Sequence, residues 1–244
     1  MRCGPFFNYY GGKWRAAPRY PDPNHGTIVE PFAGAAGYST RHAGHRIILC
    51  DANEVIAGIW SYLIRATPAE IRALPDVPRS GTVDDLRVPQ EVRWLIGFWL
   101  NNGSASPARS PSSWARKYGE IKGERSQFWG PWVKSRLAKQ VPLIRHWRVI
   151  HGSYADLDVP GDATWFIDPP YQVAGVHYPC GARGIDYGNL ADWCRARRGQ
   201  VVVCEQAGAT WLPFQPHVDI CNTHNKLSRE VIWTSGDAMQ SVLL

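Results

Sequence analysis

Asp168-Pro169-Pro170-Tyr171 brings a carboxylate, a rigid turn and a flat aromatic face into one small volume. The tetrapeptide follows Trp165-Phe166-Ile167, an apolar run of strand character. The two prolines end such a strand, because neither donates a ladder hydrogen bond and both fix φ. Asp168 then stands at the carboxyl end of a strand, where α/β sheets bind their ligands. Its carboxylate and the Pro169 carbonyl, which the following proline frees from the ladder, can accept hydrogen bonds, and Tyr171 can stack. The set suits a planar group that carries an amine. Taken alone, it also reads as a strand end with a Pro-Pro stop.

Three other stretches can meet a nucleotide-like ligand. Phe6 to Lys13 reads Phe-Phe-Asn-Tyr-Tyr-Gly-Gly-Lys. Its paired glycines allow a tight turn and close backbone approach, and Lys13 adds a cation beside aromatic surface. On these residues alone a plain Gly-Gly turn is the simpler reading. Thr27 to Phe32 is a strand signal, and Ala33-Gly34-Ala35-Ala36-Gly37 turns it into a helix reaching about Ala43. Strand, glycine turn and helix aim backbone N–H groups at a ligand. The spacing is Gly-x-x-Gly, so the dinucleotide fingerprint fails. A second apolar strand, Arg46 to Cys50, runs into Asp51. An acid there can accept both hydroxyl hydrogens of a ribose. Asp51 or Asn53 can also cap the helix expected from Asn53 to Arg65.

The remaining elements follow from pattern. Strands are expected at Trp147–Gly152, Gln200–Glu205 and Glu230–Thr234, the last in a terminal hairpin with residues around Val218–Cys221. Helices are expected at Pro68–Leu74, Gln90–Leu100, Gln127–His146 and Asp186–Arg198, with polar loops at Pro75–Pro89 and Asn101–Ser113. The Gly-rich stretch from Val173 to Gly184 is a candidate lid beside the tetrapeptide. No internal repeat is present.

Composition bounds the class. At 244 residues, 44% hydrophobic and 12% aromatic, the chain suits one large α/β domain or a core domain with one insertion. Apolar runs such as Ile47–Cys50 and Val201–Cys204 are far short of the ~20 residues of a membrane span. The N-terminus has no signal-peptide apolar core. The six cysteines are scattered without a CxxC pair, so they read as reduced core residues of a cytoplasmic protein, and no zinc site is expected. Arg87 to Arg148 holds 12 of the 27 basic residues but only three acids, Glu91, Glu120 and Glu124, which leaves 15 basic and 18 acidic residues elsewhere. A basic segment in an otherwise slightly acidic chain suggests a polyanionic partner, against the plainer reading of a solvated face. Half of the 12 tryptophans fall between Trp94 and Trp147, and many of these should be packing residues.

Phe7-Asn8-Tyr9-Tyr10-Gly11-Gly12-Lys13, Glu30-Pro31-Phe32-Ala33-Gly34-Ala35-Ala36-Gly37, Asp51-Ala52-Asn53 and Asp168-Pro169-Pro170-Tyr171 occur in this order. Together they resemble the motifs of the D12-class, Dam-like DNA N6-adenine methyltransferases. The resemblance covers the two flanks of the chain. It implies an α/β, Rossmann-like class I S-adenosyl-L-methionine-dependent methyltransferase fold: a mixed seven-stranded sheet with helices on both faces, from residues 1–74 and 147–244. Residues 75–146 would be a small helical target-recognition insertion. S-adenosyl-L-methionine would be held by Tyr10, Gly12, Lys13, Glu30, Pro31, Phe32, Ala33, Gly34, Gly37, Asp51, Asn53, Tyr154 and Asp168. Methyl transfer to N6 of a flipped adenine would take place at Asp168, Pro169, Pro170 and Tyr171. DNA contacts would fall to Arg109, Arg116, Lys117, Lys122, Arg125, Lys134, Arg136 and Lys139. No metal is required. The implied partners are double-stranded DNA and, in a restriction–modification setting, a cognate restriction enzyme. A monomer suffices, in the cytoplasm and of bacterial or phage origin.

The chain departs from the family after the strand ending at Gly152. An acid followed by an aromatic is typical there, and this chain has Ser153 and Tyr154, with Asp156 as the nearby acid that can substitute. N4-cytosine and RNA-adenine methyltransferases use the same chemistry and stay open on these residues. A dehydrogenase fits poorly, since the third fingerprint glycine is missing. A non-catalytic nucleic-acid-binding protein on the same scaffold is a further alternative.

Overall fold

Residues 3–78, 80–101, 103–113, 128–173, 184–221 and 227–235 are described in a computed structural model. Short apolar, β-branched runs form seven strands: β1 Thr27–Glu30, β2 Arg46–Asp51, β3 Arg148–His151, β4 Ala163–Ile167, β5 Gly199–Gln206, β6 Gln215–Cys221 and β7 Leu227–Thr234. They form one sheet in the order β3-β2-β1-β4-β5-β7-β6. The strands from β3 to β5 in that order pair in parallel. The expected terminal hairpin is present, with β7 antiparallel to both β5 and β6. The protein is therefore α/β, with a mixed, mostly parallel seven-stranded sheet.

Period-two alternation sends successive residues to opposite faces. Ile28, Ile47, Leu49, Phe166, Val202 and Cys204 enter one core, and Val29, Ile48, Cys50, Trp165, Ile167 and Val203 enter the other. Central strands covered on both faces need helices on both faces. On the first lies α2 (Glu54–Arg65), whose Ile56, Ile59, Trp60 and Leu63 recur at helical spacing and are fully buried. Asn53 caps it, its side chain accepting the Val55 N–H at 3.0 Å. On the second lies α6 (Tyr187–Arg195), which buries Leu190, Ala191 and Cys194 and is capped by Asp186. The first helix, α1 (Gly37–Arg41), ends two residues short of Ala43.

Among the described residues, part of the middle of the chain packs into the main core. Thr67 and Glu70 form a capping box on α3 (Pro68–Ala73). Next come α4 (Gln90–Leu100) and α5 (Pro131–Gln140). Leu95, Phe98 and Trp99 of α4, with Val133, Leu137 and Ala138 of α5, belong to the same core cluster as Phe6, Ile28 and Phe166. Core packing crosses the expected limits at 74 and 147, while Val83, Leu86, Val92, Ile96 and Leu100 form a smaller cluster of their own. The long helix expected over 127–146 is shorter: Pro131 occupies its first turn, and Pro142, which has no N–H, converts the end into a 3-10 turn over Val141–Ile144. Trp99 and Trp147 are buried packing residues, Trp132 is exposed, and Trp114 lies outside the described residues. Four cysteines, Cys3, Cys50, Cys194 and Cys204, are buried and free. Among the described residues no helix is long and apolar enough to cross a membrane.

The opening segment packs directly on the glycine turn. A Cβ at Gly37 would lie 2.4 Å from Trp14 N and 2.8 Å from the Lys13 carbonyl carbon, both backbone atoms. Gly37→Ala must push the two segments apart. We expect it to lower the denaturant midpoint by the equivalent of at least about 2 kcal/mol at unchanged slope. An unaltered midpoint would show that the contact yields freely.

Candidate functional site

The carboxyl ends of β1, β2 and β4 meet where the strand order turns from β1 toward β2 on one side and β4 on the other. Open α/β sheets bind ligands at such a switch point. A cavity of about 200 Å³ lies there. All thirteen residues expected to hold a cofactor line it, from Tyr10 in the opening segment to Asp168 after β4. Tyr9, Ser153, Gly184 and Ile185 line it too and were not foreseen as ligand contacts.

Asp51 explains the shape of the glycine turn. Its Oδ2 accepts the Gly34 N–H at 2.9 Å and its Oδ1 accepts the Asn53 N–H at 2.9 Å. One carboxylate thus ties the loop after β1 to the start of α2. Both readings of Asp51 can hold at once, because a carboxylate has about four acceptor positions and two remain. Burial raises its pKa to about 6, against the opposing pull of those N–H donors. Gly34 has φ +45°, and Ala36 at φ +46° is the non-glycine residue with positive φ among those described. Such a conformation costs an alanine about 1–2 kcal/mol, which the packing of the loop must offset.

Asp168 follows β4 and meets Lys13, whose Nζ lies 2.9 Å from Oδ2. The ammonium is 6% exposed. It also donates to the Gly11 carbonyl at 3.2 Å, stands 3.7 Å from Glu230 Oε1 and sits over the Tyr171 ring, 4.9 Å from its centroid. Tyr171 and Tyr20 both donate their hydroxyls to Glu230. Burial alone would lower the pKa of Lys13, but Asp168 and the other groups around it outweigh burial and hold it well above the ordinary value. Burial pushes the Asp168 pKa up, with Lys13 pulling the other way. Asp168 Oδ1 is buried and has no hydrogen-bond partner among the described residues.

Of the tetrapeptide, Asp168 and Pro170 line the cavity; Pro169 is buried and Tyr171 faces the Lys13–Glu230 cluster instead. The turn is braced from two sides. Tyr187 donates its hydroxyl to the Pro170 carbonyl at 2.6 Å, and Glu205 accepts the Gln172 N–H at 2.7 Å and the Trp211 Nε1–H at 3.1 Å. Tyr154 lines the cavity and packs on Phe32 at 5.2 Å between centroids. Asp156 does not line the cavity. It is exposed on the 3-10 turn that Ser153 caps, and Ser153 itself lines the cavity.

The basic residues expected at DNA divide sharply. Lys134 is 12% exposed, donates to the Leu74 carbonyl at 3.0 Å and pairs with Asp76 at 2.9 Å. Arg136 donates to the Pro5 carbonyl at 3.0 Å and lies over Trp99 and Trp132, and burial lowers its pKa to about 10. Both charges are engaged within the protein, which the sequence reading did not foresee: helical spacing puts Arg136 beside buried Val133, Leu137 and Gln140. Arg109 is exposed and paired with Asp84, and Lys139 is exposed. Arg116, Lys117, Lys122 and Arg125 lie outside the described residues, as does most of the candidate lid, 174–183.

Glu230 escaped notice as a site residue, although a signal existed. Strand alternation puts it on the face of Ile232, and a lone acid on a core face demands a partner. No group of three His, Cys, Asp or Glu among the described residues could hold a metal ion. Comparison of the chain with protein-family models and with curated proteins found no match.

Glu30 ends β1 and is buried, its Oε1 accepting the Ser39 N–H at 2.7 Å. Burial raises its pKa from 4.5 to about 8, with that hydrogen bond opposing. A folded state that binds the proton more tightly than the unfolded chain is stabilised at low pH. The contribution is full below pH 4.5 and is lost as pH rises through 8. Glu30→Gln should therefore flatten the fall of Tm between these limits. A variant whose Tm falls as steeply as that of the parent would refute this assignment.

Proposed function

We propose that the protein is an S-adenosylmethionine-dependent methyltransferase that modifies the exocyclic amine of a nucleobase in DNA, with adenine N6 as target. The observation that carries this reading is Asp168, which follows β4 at the switch point, lines the cavity and keeps a buried oxygen without a donor among the described residues. Such an unmet acceptor costs about 1–3 kcal/mol, and an arriving amine N–H relieves it. The four ordered motifs and the sheet they sit on support the same reading.

The residues fit the cofactor. When bound, S-adenosylmethionine supplies a methyl group on a cationic sulfonium. Among the described residues, Asp51 and Asp168 line the cavity against the ammonium of Lys13, with Glu30 protonated more readily than usual beside them, a balance that suits a cationic ligand. Asp51 retains acceptor positions for ribose hydroxyls. The glycine turn presents backbone close to the ligand. Tyr154 and Phe32 offer aromatic surface for a base.

An aromatic amine is a weak nucleophile, because its lone pair is delocalised into the ring. Asp168 accepts an amino hydrogen, favours a more pyramidal nitrogen and stabilises the positive charge that develops on it. Pro169, expected to offer its carbonyl as a second acceptor, is buried and does not line the cavity, so the charge on Asp168 carries this role. The target base has to leave the duplex, at a cost of a few kcal/mol. With Lys13 over its ring and its hydroxyl on Glu230, Tyr171 serves first to build this cluster. The choice of adenine over cytosine, and of DNA over RNA, rests on the resemblance alone.

Incubation with labelled S-adenosylmethionine and several DNAs, followed by nucleoside analysis, should yield N6-methyladenine. Product on cytosine or RNA would replace the substrate, and no product on any nucleic acid would overturn the reading. Asp168→Asn, which keeps the shape and removes the charge, should cut kcat measured at saturating S-adenosylmethionine by at least about 100-fold, so that the loss is separate from any weakening of cofactor binding. Retained transfer in this variant would remove Asp168 from the chemistry.

A further inference from the structure

Glu230 lies on β7, outside every motif of the site, yet it is 7% exposed and faces the catalytic carboxylate across Lys13. Two phenol hydroxyls and an ammonium converge on it. Both hydroxyls donate to its carboxylate, and the ammonium stands 3.7 Å from Oε1, close enough for direct charge attraction. Lys13 by itself would neutralise Asp168, and a neutral pair does little for positive charge growing on an amine. A second carboxylate on the same ammonium restores a net charge of −1 to the cluster. It also shares the ammonium, whose tripod of contacts is Gly11 O, Asp168 Oδ2 and the nearby Glu230 Oε1.

We propose that Glu230 is a positioning residue for the transfer reaction: it holds the Lys13 ammonium on Asp168 Oδ2, leaves Oδ1 for the target amine and keeps the cluster anionic. This rests on the methyltransferase reading. Glu230 touches no reacting atom and acts through Lys13. The other groups around Asp168 are Glu30 from β1, Cys204 and Glu205 from β5, and Tyr171 on its own turn. Tyr20 from the opening segment completes the cluster. Cys204 and the two tyrosines are all held above their ordinary values chiefly by burial, so they stay neutral at working pH. The charge across Lys13 that can be removed without touching the cavity is that of Glu230.

The test compares Glu230→Gln and Glu230→Asp with the parent. Glu230→Gln keeps the shape and the acceptor oxygen and loses the charge. We expect kcat to fall on the order of 100-fold, with KM for DNA and cofactor affinity within about two-fold. Glu230 raises the Asp168 pKa, so its removal should move the acid limb of the kcat–pH profile to lower pH. Glu230→Asp, which keeps the charge, should recover much of the rate. A drop in kcat without a shift of the limb, or equal loss in both variants, would mark a merely structural residue and overturn the proposal. A second readout needs no catalysis: acylation of lysine amines followed by peptide mass spectrometry. Lys13 should be protected in the parent and labelled several-fold faster in Glu230→Gln. Equal labelling overturns the holding role. If the parent transfers no methyl group to any nucleic acid, the methyltransferase reading fails together with the catalytic part of this proposal, and labelling still decides whether Glu230 holds Lys13.

Discussion

The ammonium of Lys13, buried between Asp168 and Glu230, ties together three parts of the chain that are far apart in sequence. Residue 13 comes from the opening segment, residue 168 from the end of β4 and residue 230 from the antiparallel strand β7. Removing one partner of a buried pair typically costs about 3–5 kcal/mol, because the other charge is left without compensation. The opening segment and the terminal hairpin are therefore fastened to the central strand by the same contact that sets the charge of the site. The burial is tolerable because the Gly11 carbonyl and Asp168 accept from the ammonium and Glu230 adds a second negative charge 3.7 Å away, while Tyr20 and Tyr171 donate to Glu230.

A lysine can occupy that position only if its segment is held. Cys3 N–H donates to the Thr40 carbonyl, Gly4 N–H to the Gln140 side chain, and Trp99 Nε1–H to the Phe6 carbonyl. Arg136 reaches the Pro5 carbonyl. Three of these partners lie on α4 and α5, so the basic middle of the chain positions the opening segment instead of standing apart from it. On the far side of the cavity, Asp51 does similar service for the glycine turn. The site is thus assembled from backbone held by side chains that are themselves in the core.

Much of the fold could be read in advance. Strands such as Ile47–Cys50 and Val201–Cys204 are apolar, β-branched and strand-length, which is what a sheet covered on both faces requires. The helix after Asp51 announced itself through Asn53 and the spacing of Ile56, Ile59, Trp60 and Leu63. The internal partners of Lys134 and Arg136 were not legible, because charge was weighed without asking which helix face carried it. Long cationic side chains can lie along apolar surface and end on carbonyls, so composition alone overstated the basic surface.

Local chemistry determined the acid after β4, the glycine turn, the acid after β2 and the Gly-Gly-Lys opening, because each is a short pattern with its own backbone consequence. Only the tertiary structure decided that Lys13 belongs to Asp168, that Asp51 serves the glycine turn as well as the cavity, and that Glu230 completes the cluster. The physical reason is that a charge pair is a property of distance in space. Residues 13, 168 and 230 carry no mark of one another along the chain. They meet because the order β1-β4-β5-β7 sets β4 and β7 on either side of β5, and because the core holds the opening segment over them.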